Sequence, residues 1–172
     1  MELKSILEAV LFSSPRPVTV KQVARRLEEF PVHDIENAFK ELVRDYSGPG
    51  HAIEIAEVAG GYQMRTRADY RDFVKRFVKE KDVALSRPML ETLSIIAYKQ
   101  PVAKRDIDTV RGVDSARAIK HLLEKRLIDI AGRDGEAGKK MTFRTTARFL
   151  EVYSLKSIAD LPTYKEIESL EG

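Results

Sequence analysis

The sequence contains no cysteine and no tryptophan. Without cysteine, disulfides and thiolate metal sites are excluded, and a cytoplasmic address is the expectation. No apolar run approaches the roughly 18 residues that a membrane helix needs, so no membrane span is expected. The opening Met1-Glu2-Leu3-Lys4 has no basic region, apolar core or small-residue cleavage site, and is read as having no signal peptide. Histidine is scarce. His33, His51 and His121 fall in separate segments, with no partner at ligand spacing, so no metal is expected. Gly135-Glu136-Ala137-Gly138-Lys139-Lys140 lacks the glycine spacing and the final Ser or Thr of a phosphate loop, and reads as a flexible wing tip. Glu28-Glu29 and the pair Asp106/Asp108 read as carboxylates on solvated helix faces, with no neighbour to tune them. There is no nucleophile elbow, triad or cofactor fingerprint. The expectation is a protein without catalytic activity or cofactor.

At 43% apolar and 33% charged, the composition is that of an ordinary globular protein. Charge is unevenly placed. Residues 1–83 hold 14 basic and 14 acidic side chains, residues 84–153 hold 14 and 9, and residues 154–172 hold 2 and 4. Only the middle stretch has a basic bias.

What the sequence does contain is one pattern written twice. At a shift of 84 positions Leu11 falls on Ile95, Pro17-Val18 on Pro101-Val102, Val23 on Ile107, Ile35 on Ile119 and Phe39 on Leu123. Further along the shift becomes 79, with Tyr62 to Thr66 over Met141 to Thr145 and Tyr70 over Phe149. A repeat of this length is two small domains of one design, since solenoid units are shorter.

Within repeat one, Leu3, Ile6, Leu7, Val10 and Leu11 form the stripe of an amphipathic helix. Pro15 and Pro17 stop it. Thr19 and Gln22 read as a capping box flanked by Val18 and Val23, opening a second helix. Ile35, Ala38, Phe39, Leu42 and Val43 mark a third. The period then changes to 2. Ile53 and Ile55, a turn at Gly60-Gly61, and Tyr62, Met64 and Thr66 predict a β-hairpin. A last helix is expected through Tyr70, Phe73, Val74, Phe77 and Val78. Repeat two predicts the same order, with its third helix starting near Asp114 and a hairpin from Leu127 to Ile130 and Met141 to Thr145. Three helices followed by a hairpin is the order of a winged helix-turn-helix. The fold class is therefore α+β, mainly helical, with two tandem winged helix-turn-helix domains. The expected boundaries are 1–82, 83–155 and a partly disordered tail at 156–172.

A helix-turn-helix raises the question of DNA reading. The third helix of unit one exposes Asp34, Glu36, Asn37, Lys40, Glu41 and Asp45, and its carboxylates repel phosphate. In unit two the corresponding helix exposes Ser115, Arg117, Lys120, His121, Glu124 and Lys125. Arg126 follows, and Arg133, Lys139, Lys140 and Arg144 decorate the wing. That surface fits a phosphate backbone, a protein partner or plain solvation. A winged-helix transcriptional regulator therefore stands as the alternative reading.

Several runs resemble the segregation and condensation protein B (ScpB) family. They are Leu90 to Val102, Arg111 to Ser115, Leu122 to Ile128, Ile6 to Ser13, Val58 to Thr66 and Leu155 to Pro162. The resemblance spans about residues 3–162, and Glu91 to Val102 is its most specific part. It implies a homodimer formed chiefly through the first unit. It implies binding to the kleisin ScpA and, through ScpA, to the SMC ATPase, with DNA contact at most weak and indirect. It also implies a non-enzymatic condensin subunit acting in chromosome condensation and segregation at the nucleoid. The sequence departs from the family pattern at Ala103, where a capping hydroxyl is usual, and in the wing at Lys139-Lys140 and Phe143-Arg144.

Two candidate surfaces follow. Tyr98-Lys99-Gln100-Pro101 occupies the turn between the first two helices of unit two, where geometry alone requires only the proline. These four residues are the candidate kleisin site, with Arg133, Lys139 and Lys140 as its extension; Tyr98 covering the core of its own unit is the other reading. Phe77 and Val78 have no apolar counterpart in repeat two and are the candidate dimer contact. The other reading packs them within their own unit or against the linker at Val83-Ala84-Leu85.

Overall fold

The computed structural model describes residues 2–78, 84–134, 140–163 and 166. The chain forms two compact units. Met1–Lys81 with Ser154–Gly172 makes the first, and Asp82–Tyr153 the second. Among the described residues, the first unit runs α1 (Leu3–Ser13), α2 (Val20–Ala24), α3 (Val32–Asp45), β1 (Ile53–Val58), β2 (Gly61–Thr66), a 3-10 turn (Ala68–Tyr70) and α4 (Arg71–Val74). The second runs α5 (Arg87–Lys99), β3 (Val102–Ala103), α6 (Lys104–Arg111), α7 (Ala116–Glu124), β4 (Ile128–Asp134), β5 (Lys140–Thr145) and α8 (Ala147–Tyr153).

The expected apolar stripes make the cores. In the first unit Leu7, Leu11, Val23, Ile35, Phe39 and Leu42 are buried together with Ile55 and Tyr62. The rings of Phe39 and Tyr62 stack with centroids 4.3 Å apart, an arrangement that adds to simple area burial. Val10, expected on the stripe of α1, is exposed. The capping box at α2 is present, with Gln22 N–H donating to Thr19 Oγ1 and Thr19 N–H donating to Gln22 Oε1. In the second unit Met89, Leu93, Ile96, Ile107, Ile119, Leu122 and Leu127 are buried. Gly112 ends α6 in the left-handed conformation at φ 71° that glycine adopts at low cost.

β1 and β2 pair antiparallel from Ile53↔Thr66 to Val58↔Gly61. The two turn residues are Ala59 and Gly60, both at positive φ, as a tight hairpin loop requires. The turn thus lies one residue earlier than the expected Gly60-Gly61. Gly61 instead permits a close approach of two backbones. A Cβ there would stand 2.8 Å from the carbonyl oxygen of Val18. Val18 and Tyr62 exchange backbone hydrogen bonds of 2.8 and 2.9 Å at this point. In the second unit the corresponding corner is β3, and the sheet order is β3-β5-β4.

Three further expectations change in these elements. The last helix of repeat one is helical only over Arg71–Val74; Phe73 on it and Phe77 on the turn that follows are 61% and 90% exposed. The cap of α7 is Ser115, while Asp114 accepts from the N–H of Ala116 at 3.1 Å. In unit two β4 continues to Asp134, beyond the expected Ile130, with a bulge between Ile130 and Gly132; bulges shift the pairing locally and bend the strand.

The segment after α8 lies on the first unit's hairpin. Ala59 N–H and Gly60 N–H donate to the carbonyls of Leu155 and Lys156 at 2.9 and 3.1 Å. Lys156 Nζ meets the Glu57 carboxylate at 2.6 Å. These bonds satisfy the two turn amides that a tight loop directs outward.

Replacing Gly61 with Ala forces its Cβ into the Val18 carbonyl. Gly61→Ala is expected to destabilise the protein by about 1–3 kcal/mol, as overpacking does. Gly48→Ala, where no atom lies within 4 Å of the added Cβ, is the control. Urea denaturation of both variants measures the difference.

Candidate functional site

Helix α5 ends at the corner Tyr98-Lys99-Gln100-Pro101, and the structure divides these residues between two roles. Gln100 is a fastener. Its Oε1 accepts from Thr145 N–H and from Thr145 Oγ1 at 2.7 and 2.9 Å, and its Nε2 donates to the Ala97 carbonyl at 3.1 Å. It thereby pins the end of α5 to the base of the wing. Val102 and Ala103 follow, buried and paired with Phe143 and Thr142 of β5. Tyr98, 52% exposed, and Lys99 stand on the outer side of that fixed corner.

Of the wing candidates, Lys139 lies outside the described residues, and so do the side chains of Arg133 and Lys140. The backbones of Arg133 and Lys140 pair with Met141 and Asp134. Phe77 and Val78 belong to the first unit, on the turn after α4, and both are exposed.

A charged network holds the helix-turn-helix of the second unit, and only one of its bonds has a signal in the sequence. Lys104 Nζ donates to Asp108 Oδ2 at 2.6 Å and also bonds Asp114. Asp108 Oδ1 accepts from Ser115 N–H at 2.8 Å and from the Ser115 hydroxyl, and Ser115, expected on the exposed face of the third helix, is instead fully buried under these bonds. Asp108 is therefore the hub joining α6 to the cap of α7, not the solvated carboxylate that the sequence suggests. The bonds from Lys104 and Ser115 hold its carboxyl down at about 2. The same lysine lowers Asp114, and both aspartates raise Lys104. The i,i+4 spacing of Lys104 and Asp108 is a usable signal for one bond of the network. The link from Asp108 to Ser115 depends on how the turn folds back, which no periodicity reports.

The third helices differ in sign. On α3, Glu36, Glu41 and Asp45 are exposed, and Lys4 of α1 pairs with the last two at 3.6 and 2.5 Å. On α7, Arg117, Lys120 and Lys125 flank the helix and are exposed. Among the described residues no group of three or more His, Cys, Asp or Glu is placed to hold a metal ion, and no helix is long and apolar enough to cross a membrane.

Comparison with known proteins gives consistent matches over nearly the whole chain. The family described as "Segregation and condensation complex subunit ScpB" matches residues 5–164. The segregation and condensation protein B of Syntrophotalea carbinolica is 42% identical over 170 residues, covering 99% of this chain and 86% of that protein. That of Symbiobacterium thermophilum is 41% identical over 161 residues, covering 92% and 72%. Among solved structures, ScpB from Mycobacterium tuberculosis has 34% identity and a TM-score of 0.41, covering 90% of this chain and 96% of its own. A dimer of the ScpB N-terminal domain complexed with a ScpA peptide has 25% identity and a TM-score of 0.40, covering 44% and 93%.

The Asp108 hub makes stability depend on acid. Its carboxyl is lowered in the folded state, so its contribution is complete above the unfolded value near 3.8 and is lost as pH falls through about 2. Asp108→Asn is expected to lower the melting temperature at neutral pH. The gap to the parent should close as pH falls from about 4 towards 2. Calorimetry across that range checks it; a gap independent of pH removes the electrostatic account.

Proposed function

Because the chain belongs to the ScpB family of segregation and condensation complex subunits, we propose that it is a non-enzymatic adaptor of an SMC–kleisin complex that binds the kleisin ScpA and works as a homodimer. The observation that carries this reading is the corner at the end of α5. Gln100 holds it rigidly, and Tyr98 and Lys99 are presented from it. A pre-formed corner loses little entropy on binding. Aromatic side chains are enriched at interface centres over the rest of a surface, and the lysine beside the ring adds a donor and a positive charge. The kleisin segment docks at this corner, and the wing extends the contact. Dimerisation uses the first unit, where Phe73, Phe77 and Val78 leave large apolar area in water.

The acidic α3 supports a protein-binding rather than a phosphate-binding role for the first unit. The fold alone carries no function; the surfaces do. In this reading the protein acts near the nucleoid through its partners.

Titration calorimetry with ScpA from the same source tests the kleisin site. Tyr98→Ala is expected to weaken binding by at least about 1 kcal/mol, the scale of an interface anchor. Lys99→Glu should weaken it without lowering the melting temperature. Gln100→Ala should lower stability by about 1–2 kcal/mol, because it removes bonds to the Thr145 backbone and side chain. Parent-like affinity in both Tyr98→Ala and Lys99→Glu places the kleisin elsewhere. For the dimer, Phe77→Asp is expected to shift the sedimentation coefficient towards the monomer, and an unchanged coefficient removes Phe77 from the interface.

A further inference from the structure

The second unit has a recess of about 470 Å³ whose lining includes Pro88, Met89, Arg111, Arg117, Ala118 and His121. Two helices, α5 and α7, begin at its edge; α5 carries no acidic residue in its first turn, whereas the first amides of α7, at Ser115 and Ala116, are already met by Asp108 and Asp114. A helix start presents amide donors and a partial positive charge, and an acidic first-turn residue is the usual internal answer to it. Ser86, the cap of α5, makes no capping bond with its side chain. The start of α5 adds a favourable field but does not make a site by itself.

The decisive group is Arg111. Its side chain is only 7% exposed, and it lines this recess. Its Nε is buried and has no hydrogen-bond partner among the described residues. Its ion pair is a 3.3 Å contact from Nη2 to Glu91, a carboxylate that also serves Arg87 at 3.2 Å. A buried guanidinium whose ion pair is to a shared carboxylate is costly unless a further acceptor meets one of its donors. Arg117, exposed on the first turn of α7, adds a second guanidinium at the rim.

We propose that this recess is a carboxylate-binding site that receives an aspartate or glutamate side chain of an acidic protein segment. A planar carboxylate matches the guanidinium fork. The local charge favours a single negative charge. Asp114 and Glu91 stand beside Arg111 and Arg117, so a dianionic phosphate meets repulsion that a carboxylate halves. Reach favours a side chain as well. The guanidinium is buried, so a flexible carboxylate stem can enter where a phosphate fixed to a rigid duplex cannot. The site uses none of the residues of the Tyr98–Pro101 corner and does not depend on the segment being that of ScpA.

The test is an NMR titration of the full-length, ¹⁵N-labelled protein. The probes are a capped peptide of alternating Glu and Gly, the matching Gln–Gly peptide and a short random DNA duplex. The expected result is a saturable shift of the Arg111 Nε–H and of the Arg117 and Ala118 amides with the Glu peptide alone. Arg117→Glu, a change at an exposed position, should weaken that response at least about tenfold. Arg111→Lys keeps the charge, removes the fork and should weaken it too; Arg117→Glu stands on its own if Arg111→Lys does not fold. An equal response to the Gln peptide, no response, a stronger response to the duplex, or undiminished binding by Arg117→Glu overturns the proposal.

Discussion

Each unit depends on the short stretch of chain that crosses from the end of its first helix onto the return strand of its hairpin. In the first unit this is one bridge, Val18 with Tyr62. In the second it is a two-residue strand, Val102 and Ala103 with Phe143 and Thr142. Without it a two-stranded hairpin is marginal in water. With it, the hairpin closes one side of a three-helix core. The stacking of Phe39 on Tyr62 and the burial of Phe143 follow from the same attachment. Gly61 is fixed by the demand that two backbones meet there.

The two units solve the next problem differently. After the corner a helix must start, and its first amides need acceptors. The first unit uses a local capping box at Thr19 and Gln22. The second has Ala103 at the equivalent position and no side-chain cap. Its order comes instead from the far side of the short helix, where Asp108 ties Lys104 to Ser115 and so orients α7. A cap that costs about 1 kcal/mol to lose has a counterpart in a charged network that also sets the direction of the third helix.

The pattern of apolar residues makes the element order and most of the core legible, because burial repeats with a period the sequence displays directly. It fails where two arrangements share a period. Val18 pairs with Tyr62, four residues before Thr66 at the hairpin base, whereas Val102 pairs with Phe143, two before Thr145. A slip of two keeps every side chain on its face, so alternation cannot detect it. The turn at Ala59-Gly60 is hidden for a related reason: two adjacent glycines look equivalent until the approach of Val18 separates them. At the corner, the proline and the aromatic stand out in the sequence. The role of Gln100 does not, because its donors on Thr145 lie 45 residues away.

Charge is the property most easily misread here. The basic excess of residues 84–153 suggests a nucleic-acid footprint when only counted. In the structure, part of it is neutralised inside the unit. Lys104 holds Asp108 and Asp114, Arg87 and Arg111 share Glu91, and Arg148 pairs with Glu151. What faces outward on α7 is a short set, Arg117, Lys120 and Lys125, beside a carboxylate at Glu124 that also contacts His121. Binding to a duplex draws on many phosphate contacts acting together, and α7 offers three exposed basic side chains beside an acidic neighbour. Arg117 alone of these, set beside a recess with a buried guanidinium, suits the placement of one acidic side chain. Net charge alone does not separate these two uses; the positions of the counter-charges do.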